Sequence, residues 1–362
     1  MGAPIRVLIS GVFSHGALGA TYATAFERLG CEVVRFDYDA AYFSNPLSRN
    51  RLVRRLVRRR LWDEMNALTI RAVQDVRPAL VLAIKASYLD GESVSHLRAS
   101  LGIPVVNYYA DNPYCGIPLD PRKTSAQRRD LVDVLRAYSA VFIWGRAIAN
   151  RLQADGVQSS YLPFAADFAT YRPPTNPGAM TGCSECDGQH DIVFVGQHNA
   201  KRGQHVDAIR RHVVSLWGPR WDRLSRSGRV RHRVHRKPAW GSFSSDLYGN
   251  AKVSLNVVDD LNMPGHNMRT FEVPASGGVM LAHHTQEQEE FFPEGEAAFY
   301  YRTPQELDSK LDTILHDPGR RAAVAKNALR IAQQNTYLHR AADLLKACGL
   351  RAASVAGVGA GS

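Results

Sequence analysis

The sequence predicts an α/β chain built as two doubly wound halves, each a parallel sheet between helices. Short apolar runs alternate with helical stretches, and the alternation restarts after a Pro- and Gly-rich break near the middle. The length of 362 residues is about twice that of an ordinary domain.

Ile5 to Ser10 (IRVLIS) is a continuous apolar run, as a strand buried on both faces requires. GVFSHGALG follows as a glycine-containing loop, and ATYATAFERLG forms a helix closing at Gly30. CEVVRFD then completes a βαβ unit. Further strands are expected at Ala79 to Lys85, Ile103 to Tyr109, Ala140 to Gly145 and Ser159 to Phe164. The stretch from Asp167 to His190 is rich in Pro, Gly and polar residues and has no periodicity, which marks a linker. Asp191 to Gly196 restarts the pattern, followed by strands at Lys252 to Val258, Val279 to Ala282 and Ala297 to Tyr301. Helical sequence runs from Pro304 to about Leu350, ahead of a Gly/Ala/Ser tail. The domain reading is therefore 1–167, a linker at 168–190, a second domain at 191–335, a final helix at 336–350 and a disordered tail at 351–362.

No run of about 18 apolar residues occurs, and MGAPIRVLISGVF lacks a basic n-region and a cleavage site. A cytoplasmic protein is expected. Five cysteines are an odd number and form no disulfide framework. Cys183 and Cys186 make a CxxC, but no second ligand pair follows, so a polar linker fits better than zinc. The net charge of +11 implies an acidic partner: nucleic acid, anionic lipid or a phosphorylated small molecule. Much of it sits in RNRLVRRLVRRR, Arg49 to Arg60, with seven arginines, no acid, and Leu52, Val53, Leu56, Val57 and Leu61 at helical spacing. This pattern describes a basic amphipathic helix, either packed by its apolar stripe or docked on an anionic membrane surface or polyanionic acceptor. Few aromatics interleave, which disfavours a nucleic-acid groove.

Two Rossmann-like domains facing across a cleft bind ligands at the carboxyl ends of their strands. In FVGQHNAKRG, Gly196 follows a strand and Lys201 and Arg202 lead into a helix, a combination suited to phosphate. In GHNMRTFEVPASGG a short helix is expected to start near Asn267 and to aim free N–H groups at the ligand. Arg269 would pair with a diphosphate and Glu272 would reach sugar hydroxyls, while Ser276, Gly277 and Gly278 end the helix and permit close approach. A capped helix with a solvated Glu272 is the plainer alternative. In the first half, Asp111 is the candidate base or acceptor-orienting group, with Asn112 beside it for acceptor binding; an Asx turn before Pro113 competes with this. His15 and Gly16, in the first βα loop, are a second candidate base and acceptor contact. Gly11, Gly16 and Gly19 do not form GxGxxG, and Asp37 alone does not complete a dinucleotide site, which disfavours a nicotinamide-dependent dehydrogenase. The side chains of the adjacent Asp259 and Asp260 diverge on an extended segment. With Lys201, Arg202 and Arg269 present and no convincing carboxylate cluster, a metal-independent site is expected.

FVGQHNAKRG, NAKVSLNVVDDLNMPGHNMRTFEVPASGGVMLA and the stretch from EEFFPEGEAAFYY to NTYLHR resemble the C-terminal half of the CgeB-like (spore maturation protein) glycosyltransferases, within the wider GT-B group. The resemblance covers roughly Asp191 to Arg340 and extends more weakly through NYYADNPY and GVQSSYLPFAAD. It implies a GT-B architecture with a nucleotide sugar held by the second domain, an acceptor held by the first, and a final helix after Thr336 that returns to the first domain. Glu272 falls on the helix-start glutamate that contacts ribose or sugar in related retaining enzymes. Pro264 stands where their second glutamate would be, eight positions earlier, and Asn267 is the substitute polar contact. The expected activity is sugar transfer from a UDP, GDP or dTDP sugar to a polysaccharide, glycolipid or protein acceptor of the cell envelope, without a tightly bound cofactor. A nucleotide- or sugar-binding protein without catalysis and a basic nucleic-acid-binding protein are the alternatives.

Overall fold

The computed structural model describes residues 3–14, 16–114, 125–175, 190–224, 232–235 and 237–351. His15, Cys183, Cys186 and the tail from 352 onward lie outside the described residues. The chain divides into two compact units, Met1–Pro163 with Tyr337–Ser362, and Phe164–Thr336.

The first unit runs β1 (Arg6–Gly11), α1 (Leu18–Arg28), β2 (Glu32–Asp37), α2 (Tyr38–Ser44), α3 (Pro46–Arg49), α4 (Arg51–Leu56), α5 (Arg58–Val76), β3 (Leu80–Ile84), α6 (Gly91–Leu101), β4 (Val105–Tyr109), α7 (Ser125–Ala137), β5 (Ala140–Ile143), α8 (Arg146–Ala154) and β6 (Ser159–Tyr161). All six strands are parallel, in the order β2-β1-β3-β4-β5-β6. Their direction of growth reverses between β1 and β3. Strands β3 and β4 are buried along their whole length, because helices cover both faces of a parallel sheet. Gly19 lets α1 start hard against the loop after β1, since a Cβ there would stand 2.4 Å from the Val12 carbonyl oxygen. Asp37 caps α2 through the amides of Asp39 and Ala40, which gives this carboxylate a structural use.

The second unit runs β7 (Ile192–Val195), α9 (Ala200–Asp207), β8 (Val214–Trp217), β9 (Arg233–His235), α10 (Ser242–Asn250), β10 (Val253–Asn256), α11 (Arg269–Ala275), β11 (Met280–His283), α12 (Gln286–Phe291), β12 (Phe299–Tyr301), α13 (Leu307–His316) and α14 (Pro318–Gln333). Its six strands are again parallel, ordered β12-β11-β10-β7-β8-β9, with the reversal between β7 and β10. Phe194, Leu216, Leu255, Leu281 and Tyr301 fill the sheet side of the core, and Leu307, Leu311 and Val324 close it from the helices.

Several elements differ from the sequence reading. Strands β8 and β9 are absent from it: β9 is a three-residue edge strand with two exposed positions, so it carries no apolar run. The single basic helix at Arg49 to Arg60 is three helices, because the Asn50 side chain accepts from the amides of Leu52 and Val53 and starts a new helix there. Residues 168–175, expected in a linker, pack on the second unit. The Arg172 amide donates to Ser245 Oγ at 3.0 Å, and a Cβ on Gly249 would stand 2.5 Å from Pro174.

The last helix, α15 (Tyr337–Ala347), belongs to the first unit. Its Tyr337 ring lies 5.4 Å from that of Tyr22, and Arg340 Nε donates to the Pro163 carbonyl at 3.2 Å. Ala341 and Leu344 are wholly buried. Leu344→Ala is therefore expected to cost about 2–5 kcal/mol, the range for a truncated core leucine. The check is a lowered urea midpoint with an unchanged slope.

Candidate functional site

Open α/β sheets bind ligands outside the carboxyl ends of their strands, where the strand order reverses. In the second unit that point lies between β7 and β10, and Gly196 and the Asp259-Asp260 pair follow those two strands. Gly196 has a φ of +153°, and a Cβ on it would stand 2.6 Å from Arg269 Nη2. Glycine is thus required for Arg269 to reach this strand end. The Arg269 Nε donates to the Val195 carbonyl at 2.6 Å, and its guanidinium also hydrogen-bonds Tyr248. Trp221 Nε1 holds the Gly196 carbonyl at 2.8 Å, and Gly218 permits this crowding, since its Cβ would lie 2.4 Å from that oxygen.

Arg202 comes to the same strand end from α9. It donates to the Gln197 carbonyl at 2.8 Å and faces Asp259 at 3.6 Å, while its Nε is buried without a hydrogen-bond partner. The guanidinium carbons of Arg202 and Arg269 each lie 5.9 Å from the centre of the Phe194 ring. Burial, and then repulsion from Arg269, bring the Arg202 pKa down to about 10, against the pull of Asp259. Arg202 stays charged at neutral pH, and two guanidiniums approach one aromatic ring beside one carboxylate. Such a pair can hold a phosphate group bidentately.

The other expected contacts are used differently. Lys201 Nζ pairs with Asp260 Oδ1 at 2.6 Å, and Asp259 takes Asn199 Nδ2 at 2.5 Å. The two aspartates therefore do diverge, each toward its own partners at the start of α9. Asn267 is buried, and its amide exchanges hydrogen bonds with Asn256 at 2.8 and 3.1 Å, so it is committed to the core of the second unit. Helix α11 starts at Arg269 rather than near Asn267. Its amides at Thr270, Phe271 and Glu272 bond the Asn267 and Met268 carbonyls at 3.0–3.1 Å, so the free N–H groups expected at this helix start are already satisfied. Ser276 is buried and donates to the Glu272 carbonyl. Gly277 sits against Pro173 with φ +73°, and a Cβ on Gly278 would stand 2.6 Å from the Tyr248 carbonyl oxygen. These three positions let α10, α11 and residues 173–174 pack closely.

Glu272 is half-buried and hydrogen-bonds the Tyr171 hydroxyl. Burial pushes its carboxyl above the ordinary range; the Arg269 charge and the Tyr171 hydrogen bond pull the other way, and Asp167 adds to the rise. Tyr171, Tyr248 and Phe194 are partners of this cluster that the sequence reading missed. Nothing in the local pattern marks them, since Tyr171 lies in the stretch read as linker and Phe194 reads as an ordinary core residue. Among the described residues no group of three His, Cys, Asp or Glu is arranged to hold a metal ion.

In the first unit the reversal lies between β1 and β3. The residues after β3, Lys85 and Ala86, have φ of 60° and 38°. A left-handed backbone at two consecutive non-glycine positions is a strained arrangement that concentrates at functional sites. Lys85 pairs with Asp111, which follows β4. The hydroxyls of Tyr38 and Tyr109 are each pushed up to about 12, mainly by burial and partly by the nearby Asp111 charge. Asp111 is thus an exposed carboxylate beside a cation and two phenols. Asn112 Oδ1 accepts from the Tyr114 amide at 3.0 Å, so the Asx turn forms on Asn112. Gly16 is exposed with φ +78° and has nothing near its missing Cβ. The expectation for His15 falls outside the described residues.

Residues 201–346 match the sequence model of a family described as glycosyl transferase-like. The fold is similar to that of sucrose-phosphate synthase from Thermosynechococcus elongatus, with a TM-score of 0.69 at 12% identity, covering 95% of this chain and 98% of the other. It is also similar to HepE of Anabaena in complex with UDP-glucose, with a TM-score of 0.63 at 14% identity, covering 95% and 100%. A glycosyltransferase of Rickettsia africae gives a TM-score of 0.63 at 12% identity, covering 96% and 98%. No curated protein sequence matches. The chain has the GT-B fold, and most of its second unit matches the glycosyl transferase-like family. The matched segment contains Lys201, Arg202, Asp259, Asp260, Arg269 and Glu272, the charged groups of the β7/β10 strand ends.

The raised Glu272 carboxyl carries a pH signature. The folded protein holds this proton more tightly than the unfolded chain does, so the contribution of Glu272 to stability falls as pH rises above the unfolded value near 4.5. Glu272→Gln removes that loss. The difference in melting temperature, variant minus wild type, is expected to grow between about pH 4.5 and neutrality and to stay flat below; parallel melting curves across that range would contradict it.

Proposed function

We propose that this protein transfers a sugar from a nucleoside diphosphate sugar to a glycan, lipid or protein acceptor without a metal ion, and that within the GT-B group it is CgeB-like. The observation that carries the donor side is the approach of both Arg202 and Arg269 to the Phe194 ring at the end of β7. Glycosidic bond cleavage leaves negative charge on the departing diphosphate, and two preorganised guanidiniums stabilise that charge without a divalent ion. The neighbours' complexes with UDP and UDP-glucose support a uridine nucleotide as the donor carrier. In this reading Lys201 adds long-range positive charge, and Glu272 accepts a hydrogen bond from a ribose or sugar hydroxyl. Glu272 shares its environment with Arg269, so donor phosphate and donor hydroxyl are read by one helix.

On the acceptor side Asp111 is the proposed base or orienting group. Lys85 fixes its position by an ion pair; Asn112 and Gly16 are the proposed acceptor contacts, and His15 is the second candidate base. A cytoplasmic setting, with a cell-envelope glycan as acceptor, belongs to the same proposal.

A thermal-shift panel of UDP, GDP, dTDP, CMP, NAD and a short oligonucleotide tests the donor class, because a ligand that binds only the folded state raises the melting temperature. One nucleoside diphosphate is expected to stabilise the protein; a response to NAD or the oligonucleotide alone would contradict the proposal. Arg269→Ala is expected to weaken nucleoside diphosphate binding by roughly 10- to 100-fold, the loss of charge-assisted hydrogen bonds. Arg269→Lys recovers only part, since it keeps the charge and loses the fork. Asp111→Asn is expected to lower kcat by roughly 100-fold or more with unchanged nucleotide binding, as for removal of a general base. Equal kcat in the two proteins would remove Asp111 from the catalytic role.

A further inference from the structure

We propose that the segment from Phe43 to Trp62 is an interfacial docking face for an anionic lipid bilayer. The structure leaves the apolar side of this segment unpacked. Leu52 and Leu56, one turn apart on α4, are 76% and 86% exposed, and Phe43, Leu47 and Trp62 are exposed as well. Helix α5, by contrast, buries Leu61, Met65, Thr69 and Val73, which recur every four residues and fix it to the first unit. Helix α4 has no such anchor among the described residues, apart from partly covered valines at 53 and 57.

The charge on the same segment identifies the occupant. Arg49, Arg55, Arg58, Arg59 and Arg60 are exposed, and no acid occurs between Asp39 and Asp63. The guanidinium of Arg58 lies over the Trp62 ring at 5.4 Å, a pairing of cation and aromatic suited to the headgroup level of a membrane. A second copy of the chain would set arginines against arginines. A soluble polyanion would meet the arginines and leave Leu52 and Leu56 in water. An anionic bilayer supplies phosphates for the guanidiniums and an acyl boundary for the leucines in one surface. The short helices, broken at Asn50 and Val57, let the leucines of α4 turn independently of the α5 face that the core already uses.

No described helix is long and apolar enough to cross a membrane, and the proposed contact is interfacial. The inference stands apart from the sugar-transfer reading: nucleotide binding and vesicle binding are separate measurements, and either can fail alone.

The test is sedimentation of the full chain with vesicles of phosphatidylcholine plus phosphatidylglycerol, and with phosphatidylcholine alone. Two variants are compared, Leu52→Ser/Leu56→Ser and Arg55→Gln/Arg58→Gln/Arg59→Gln/Arg60→Gln, with melting curves to show that both fold. The wild type is expected to bind the anionic vesicles and not the neutral ones. A basic residue near such a surface is worth about five-fold in partitioning, so the arginine variant is expected to bind on the order of 10²- to 10³-fold more weakly. The leucine variant is expected to bind vesicles about ten-fold more weakly or worse, while its binding to heparin, a soluble polyanion, stays at the wild-type level. Unchanged vesicle binding by the leucine variant would overturn the proposal in favour of a soluble polyanion. A wild-type dimer in sedimentation velocity that the leucine substitutions dissolve would overturn it in favour of a second copy.

Discussion

Arg269 occupies the space that any side chain at position 196 would fill, and the strand ends of the second unit are arranged around that contact. Gly196 has to be glycine for the guanidinium to approach within 2.6 Å of the missing Cβ, and Gly218 has to be glycine for the Gly196 carbonyl to stay on Trp221. With Arg269 fixed on the Val195 carbonyl, Arg202 is forced to share the Phe194 ring with a like charge. Bringing two guanidiniums together away from bulk water costs stability. Asp259, the Gln197 carbonyl and the aromatic ring offset part of that cost, and the buried, unpartnered Arg202 Nε shows that part is left over. In the proposed reading an arriving diphosphate would supply the missing negative charge, and the unfavourable element of the free protein would become the favourable element of the complex.

The same economy explains why so many polar groups nearby take no part in the proposed chemistry. Asn267, Ser276, Gly277 and Gly278 hold α11 against α10, residues 173–174 and the buried Asn256. They fix the helix that carries Arg269 and Glu272, and that fixation is what preorganised stabilisation of a developing charge requires. Lys201 and Asp260 form an outer pair in which the carboxylate is mostly exposed, so the pair contributes field more than fixed geometry.

The strands were legible in β1, β3, β4 and β7, where burial on both faces writes a continuous apolar run; the buried but four-residue β8 and the half-solvated edge strand β9 were not. Gly196, Arg202, Arg269 and Glu272 were readable because a glycine and paired cations follow a strand and an arginine and a glutamate share one short helix. Their partners were not, since Phe194, Tyr171 and Tyr248 reach Arg269 and Glu272 through tertiary packing and leave no local signature. Lys85 was hidden for a different reason: its left-handed backbone is a property of how β3 meets β4, and nothing in ALVLAIK requires it. The helix-mouth reading of GHNMRTFE misplaced the source of positive charge, because the first-turn amides are consumed by Asn267 and Met268 and the arginine side chains supply the charge instead.

The central claim is that Arg202 and Arg269 hold the diphosphate of the donor. Calorimetric titration of the wild type and of Arg202→Ala with uridine, UMP and UDP tests it most directly, because the ligands differ only in phosphate. The account predicts that wild-type affinity rises at each added phosphate and that Arg202→Ala flattens the series toward the uridine value. Equal affinities for UMP and UDP in the wild type, or an undiminished series in Arg202→Ala, would contradict it.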